Sequence, residues 1–245
     1  MDESSNLAEP FRCITAFVLP DAAKLEAMAE FAAGAGHEIN NPLATIIGRV
    51  QLLLKDERDP QRRQMLLSIG TQAYRIRDMI GDAMLFGRPP APELADVDLA
   101  NAVSNICFKH ADEFSKVDCQ VTLDIPREIV LRADSVQLAI VISELFRNAR
   151  QAGATAIVVR ALLKNKSAAI QLEDNGRGFT DLEQQHAFDP FFSGRQAGRG
   201  LGFGLSKCWR IVQQHNGQIQ IESTSHGRTL VEITWPHVNH HPGQP

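Results

Sequence analysis

Between residues 25 and 83 the apolar side chains return at steps of three and four, in two runs separated by one charged break. The first run is Leu25, Ala29, Ala32, Gly36, Ile39, Leu43, Ile46, Val50 and Leu53. The second is Leu66, Ile69, Ala73, Ile76, Ile80 and Ala83. Such steps keep side chains on one face of an α-helix, which turns by about 100° per residue. Lys55-Asp56-Glu57-Arg58-Asp59 and then Pro60 interrupt the pattern. The spacing therefore predicts two long helices folded back on each other. A single hairpin leaves one side of each seam in water. Pairing two hairpins into a four-helix bundle buries both sides, so a homodimer is expected. The alternative is a hairpin packed on another part of its own chain. Gly87-Arg88-Pro89-Pro90-Ala91-Pro92 reads as a stiff linker, which weighs against that alternative.

The hairpin is placed at residues 21–88 and the linker at 89–96. Residues 1–20 are unclear: Cys13 to Leu19 has the texture of a short strand, and Pro20-Asp21 that of a helix start. Beyond the linker, Leu99 to about Val117 reads as one amphipathic helix. Val121–Ile125 and Ile129–Leu131 read as short strands. Asp134 caps a helix through Gln137, Ile140, Ile142, Leu145 and Ala149, which Gly153 ends. Ile157–Val159 and Ala168–Leu172 alternate as strands around Asn165. A Gly-rich stretch from Gly176 to Gly204 leads into a helix ending near Asn216-Gly217. Strands Gln218–Ser223 and Thr229–Thr234 follow, flanking His226-Gly227. Residues 97–236 thus predict an α/β sandwich, a mixed sheet with helices on one face, and the whole chain is α+β. The tail, 237–245, holds His237, His240 and His241 without nearby Cys or carboxylate partners, and reads as disordered.

The charge balance is near neutral, with 25 Lys plus Arg against 29 Asp plus Glu. That argues against a nucleic-acid partner held by counterion release. Cys13, Cys107, Cys119 and Cys208 are scattered with no C-x-x-C, which suits reduced thiols in a cytoplasmic protein. The start, Met-Asp-Glu, lacks a basic signal-peptide region. No apolar run approaches the roughly 18 residues of a membrane span.

Five strings carry chemistry. In Gly36-His37-Glu38-Ile39-Asn40-Asn41-Pro42-Leu43, His37 follows a seam residue and points out of the bundle, with Asn41 one turn on along the same face. An exposed imidazole is a nucleophile if its proton is taken in the transition state, and Glu38 is placed to take it. Pro42 predicts a kink just after the histidine. In Glu144-Leu-Phe-Arg-Asn148-Ala-Arg-Gln-Ala152, Glu144 and Asn148 project to one side and offer hard ligands for phosphate-bound Mg²⁺. In Asp174-Asn-Gly176-Arg-Gly178, a carboxylate at a strand end can accept from an adenine amino group while the glycines turn the backbone away. Phe188-Asp-Pro-Phe191-Phe192 suits the hinge of a mobile lid, followed by Arg195 and Arg199 as phosphate or partner contacts. Gly198-Arg-Gly200-Leu-Gly202-Phe-Gly204-Leu-Ser206 opens a helix whose amides can cradle phosphates. It lacks the βαβ context of a dinucleotide fingerprint.

Taken in order, these strings resemble the histidine, asparagine, first-glycine, phenylalanine and second-glycine boxes of histidine kinases, over residues from about 21 to 236. The second string is similar to the asparagine box of the GHKL ATPase fold shared with gyrase, Hsp90-type chaperones and mitochondrial dehydrogenase kinases. The resemblance implies ATP and Mg²⁺ held between the Asn148 helix and the lid. Asn148 and Glu144 would lie at the metal, and Asp174, Gly176, Gly178, Phe191, Arg195, Gly200, Gly202 and Gly204 around the nucleotide. It implies phosphorylation of His37, with Glu38 as base, and transfer to an aspartate on the receiver domain of a response regulator. Asn41 completes the E-x-x-N pattern of kinases that also dephosphorylate their regulator. One residue departs from the pattern. Histidine kinases usually carry Asn where Glu144 stands, and Glu there is the general base of the gyrase, chaperone and mitochondrial versions. That keeps other readings open: an ATP-hydrolysing conformational switch, a non-catalytic dimeric ATP-binding scaffold, or a serine-directed kinase. Input is expected through the first 20 residues or a separate sensor protein.

Overall fold

In a computed structural model of the chain, residues 12–13, 22–164, 167–192, 194, 202–223 and 227–237 are described. The two seams form α1 (Ala22–Asp56) and α2 (Pro60–Gly87). Asp59 caps α2: its carboxylate accepts from the Gln61 and Arg62 amides at 2.9 and 3.0 Å. Two of the amides orphaned at a helix start are thereby satisfied, and Pro60 brings no N–H that would need a partner. Arg63 donates to the Leu54 carbonyl at 3.1 Å and ties the turn back to α1. α1 runs through Pro42 as one helix.

The seams serve two faces. Leu43, Ile47 and Val50 of α1 and Gly70 and Ala73 of α2 are buried between the helices. Ile46 (42%), Leu53 (59%), Ile69 (49%) and Ile76 (42%) stay exposed on the outside. Gly36 packs directly on the Met84 side chain, where any Cβ would meet the thioether.

The C-terminal half is a six-stranded mixed sheet in the order β1-β7-β8-β6-β5-β3. Its strands are β1 (Arg12–Cys13), β3 (Gln120–Asp124), β5 (Ala156–Lys164), β6 (Ser167–Asp174), β7 (Gln218–Ser223) and β8 (Thr229–Pro236). Only β3 and β5 run parallel among these described pairs. Helices α3 (Leu99–Lys109), α5 (Ser135–Gln151) and α7 (Gly204–Gln214) pack side by side over the sheet. Alternate residues such as Ile219, Ile221, Val231, Ile233 and Trp235 face them in one continuous core with Val141, Ile142, Ile211 and Val212. Asp134 caps α5 through the Val136 and Gln137 amides.

Several sequence expectations are corrected. The helix expected from Leu99 to Val117 breaks at His110, and α4 (Ala111–Ser115) follows. The His110 ring is fixed between Glu113 and Ser143, both at 3.1 Å, so the chain turns and drives Phe114 edge-on against Phe146. The linker is not a free spacer. β2 (Ala95–Asp98) pairs antiparallel with β4 (Val130–Ala133) in a second, two-stranded sheet. Pro89 is buried, Gln137 donates to the Pro90 carbonyl at 3.0 Å, and the Glu93 amide donates to Asp134 at 2.9 Å. The hairpin consequently docks on its own chain, α2 against α7. His237, expected in the tail, bridges to Leu131. Only Arg12–Cys13 of the N-terminal stretch forms a described strand, and Leu19, Arg195, Arg199, Gly200, His240 and His241 lie outside the described residues. Among the described residues no helix is long and apolar enough to cross a membrane.

Candidate active site

α5, α7, the end of β6 and one face of α2 enclose a cleft of about 1250 Å³. Asp174, the last residue of β6, is buried in it and accepts from the Gly176 amide at 2.8 Å. Burial pushes its carboxyl above the ordinary range, and the Gly176 amide opposes that rise. Gly176 itself lies so close to Ala152 that a Cβ would come within 2.7 Å of the alanine methyl. Arg177 and Gly178 continue the wall. Asn148 projects from α5 into the same cleft, and its Nδ2 is buried with no hydrogen-bond partner.

α7 starts at Gly204, and no side chain caps it. A Cβ on Gly204 would stand 3.2 Å from a Glu144 oxygen and 3.7 Å from the Asn148 oxygen. The uncapped start of α7 offers backbone amides that an anion prefers, with the Arg147 guanidinium 3.5 Å from the same point and the Glu144 and Asn148 oxygens beside it. Gly202 must be glycine twice over: its φ is +72°, and a Cβ would run into the Phe192 carbonyl. Phe192 lines the cleft, whereas Phe191, at φ 68°, packs on Phe203 with ring centroids 4.7 Å apart. Phe203 in turn meets Phe86 at the end of α2, 5.8 Å away.

Glu144 is not a free carboxylate. One oxygen lies 2.8 Å from Lys207 Nζ, and Arg147 holds the other. Lys207 also reaches Asp82 of α2 at 2.5 Å. Glu144 is 7% and Lys207 4% exposed. Burial alone would lower the Lys207 pKa, but Glu144 and Asp82 outweigh it and hold the ammonium above its ordinary value. Sequence reasoning missed Lys207, Arg147 and Asp82. The available signal was a lysine beside Ser206, Cys208 and Trp209 on the apolar face of a helix, where an unpaired charge is seldom buried. It also missed a fork in the cleft wall. Arg177 donates twice to Glu183, at 2.9 and 2.6 Å, at the start of α6 (Asp181–Gln185). The Arg177 hydrogen bonds, against burial and with help from Thr180, take the Glu183 pKa down to about 2.

His37, Glu38 and Asn41 are exposed on α1. The hairpin's contribution to the cleft wall comes from α2, with Thr71, Tyr74, Arg75, Asp78, Met79 and Asp82, and among the described residues none comes from α1. The structure therefore brings Asp174, Asn148, Glu144, Gly178, Gly202 and Gly204 together and leaves His37 outside.

Two family models match. Residues 27–92 match the His Kinase A (phospho-acceptor) domain, and residues 133–239 match the histidine kinase-, DNA gyrase B-, and HSP90-like ATPase. Sporulation kinase D of Bacillus subtilis is 31% identical over 222 residues, covering 88% of this chain and 43% of its own. The signal transduction histidine-protein kinase AtoS of Escherichia coli is 31% identical over 221 residues, covering 88% of this chain and 36% of its own. The chain thus spans less than half the length of these relatives. Among solved structures, full-length ShkA in complex with AMPPNP shares the fold at TM-score 0.77 and 17% identity, over 85% of this chain and 46% of that one. The Acinetobacter baumannii histidine kinase AdeS follows at 0.60 and 17%, over 83% and 98%. An exposed histidine on a helical hairpin, joined to an ATPase-type sandwich, is the two-module plan of a sensor histidine kinase. The chain belongs to the histidine kinase family of two-component systems.

Proposed function

We propose that the chain is an ATP-dependent histidine autokinase that acts as a homodimer and passes phosphate to an aspartate on a response regulator's receiver domain. The observation that carries this reading is the exposed His37 on the hairpin beside a cleft holding Asp174, Asn148 and the bare start of α7. Asp174 receives the adenine amino group, Gly176 and Gly178 shape the floor under the base, and the α7 amides after Gly202 and Gly204 face the phosphates. Arg195 and Gly200 belong to the same lid by sequence, and Phe191 to its hinge. A His37 ring nitrogen attacks the γ-phosphorus, a P–N bond forms as the bond to ADP breaks, and Glu38 takes the ring proton. Asn41, one turn on, orients water for the reverse task of dephosphorylating the regulator.

The residues fit Mg²⁺ in part. Asn148 offers a hard amide oxygen and an unpartnered Nδ2. Glu144 is already charge-paired on both oxygens, which weakens it as a metal ligand. When bound, Mg²⁺ would neutralise the phosphate charge. The same pairing weighs against Glu144 as a base for water, and so favours the kinase over the ATP-hydrolysing switch.

The test is incubation with γ-labelled ATP. The expected result is a labelled chain whose phosphate is lost in acid and kept in base. Phosphate release without label supports the switch, and an acid-stable label supports a serine-directed kinase. Asp174→Asn keeps the shape but replaces an accepting oxygen with a donor. Calorimetry should find ATP affinity weaker on the order of 10- to 100-fold, the scale of one charged hydrogen bond. Unchanged affinity would make the adenine assignment wrong.

A further inference from the structure

Lys207 is a buried cation shared by two carboxylates from the two halves of the chain. Glu144, 2.8 Å away, belongs to α5 of the sandwich, and Asp82, 2.5 Å away, belongs to the hairpin. The last turns of α2 repeat the theme with apolar groups. Phe86, fully buried, packs on Phe203 beside the glycines that open α7, and Met84 packs on Gly36, the neighbour of His37. One end of one helix therefore touches Phe203 at the start of α7, the buried Lys207 and the glycine that precedes the acceptor histidine.

In this arrangement α2 walls the cleft, while His37 sits on α1 outside it. For His37 of the same chain to be phosphorylated, α1 has to face the γ-phosphate, so for transfer within one chain the contact between Asp82 and Lys207 has to part as the sandwich shifts across the hairpin. We propose that Lys207 is an interdomain latch: paired to Asp82 and Glu144 at once, it holds the nucleotide domain on α2 in a resting dock and keeps the kinase off. This rests, for its effect on activity, on the kinase reading above.

The charges make the latch specific. With Arg147 on the other Glu144 oxygen, the four groups sum to zero. Removing the Asp82 charge leaves Glu144 still paired to Lys207 and Arg147, so the cleft keeps its internal contacts and loses its ionic tie to α2, with Phe86 still on Phe203. Removing Lys207 would instead leave two carboxylates facing across a buried boundary. That variant risks the fold, because an uncompensated buried charge is costly.

Asp82→Asn in the full chain is the informative variant, read by amide hydrogen exchange without nucleotide and by the initial rate of His37 labelling. Exchange at residues 80–87 and 204–208 should quicken about tenfold, less than for a fully buried pair because Asp82 is partly exposed to solvent. Labelling should quicken about threefold or more, on the same grounds. Asp82→Arg, which sets like charges face to face, should go further in both. Protection unchanged in both variants overturns the proposal. So does loss of protection with slower or unaltered labelling, which would make the dock part of the catalytic assembly. If no variant or wild type labels, the kinase reading fails, and the exchange measurement still decides whether Lys207 ties the two halves.

Discussion

His37→Gln yields a folded dimer that binds ATP and takes up no phosphate. His37 is exposed on a continuous helix, and its neighbour Gly36, not the imidazole, makes the packing contact with Met84. Substitution on such a face usually changes stability by no more than about 0.5 kcal/mol. ATP affinity should be kept, since no α1 residue lines the cleft among those described. Glutamine has no ring nitrogen lone pair to attack phosphorus, so labelling falls to background rather than by a graded factor. The chain has 8 histidines. Label persisting in His37→Gln at the wild-type rate would move the acceptor to another of them and undo the assignment of Glu38 and Asn41 with it. Calorimetry on the same variant separates a lost nucleophile from lost nucleotide.

What the sequence showed and what it hid divide along physical lines. Local signals carried through. The three-four spacing of the seams gave α1 and α2, and Asp134 was legible as a cap because its carboxylate serves amides two and three residues away. The order of the boxes pointed to the elements that now meet around the cleft. Properties that depend on partners far along the chain did not carry through. The spacing alone cannot tell Leu43, which faces α2, from Ile46, which faces out, because both fall on the same broad stripe. At His110 the local partner, Glu113, is an ordinary i+3 neighbour of a continuous helix, and the Ser143 and Phe146 contacts that hold the ring come from α5. Pro89 and Pro90 looked like a spacer, yet their neighbour in space is Gln137, 47 residues from Pro90. The charge on Glu144 was visible as a departure from the family pattern. Its meaning was not, because Lys207 lies on another helix and Asp82 in the other half of the chain.

The open face of the hairpin gives the second large effect. Ile46, Leu53, Ile69 and Ile76 remain 42 to 59% exposed in the single chain, on helices whose inner face is already closed by Leu43, Ile47, Val50 and Ala73. Full burial of such a side chain is worth about 1.5–3 kcal/mol, so roughly 1 kcal/mol each is still to be gained at a dimer face. Ile46→Glu with Ile76→Glu removes four such contributions from a two-fold pair, about 4 kcal/mol, or near a thousandfold in dissociation constant. Burying the new carboxylates adds to the cost, and they repel across the symmetry axis. The hairpin itself should survive, because neither residue lies between α1 and α2. Sedimentation should find the wild type as a dimer at micromolar concentration and the double variant as a monomer, with helical circular dichroism kept. Leu43→Glu is the contrasting case: it buries a charge inside the hairpin and should lose helix signal as well as association. A wild type that sediments as a folded monomer would count against the four-helix bundle. A double variant that stays dimeric would place the interface elsewhere, on a surface that does not include Ile46 and Ile76.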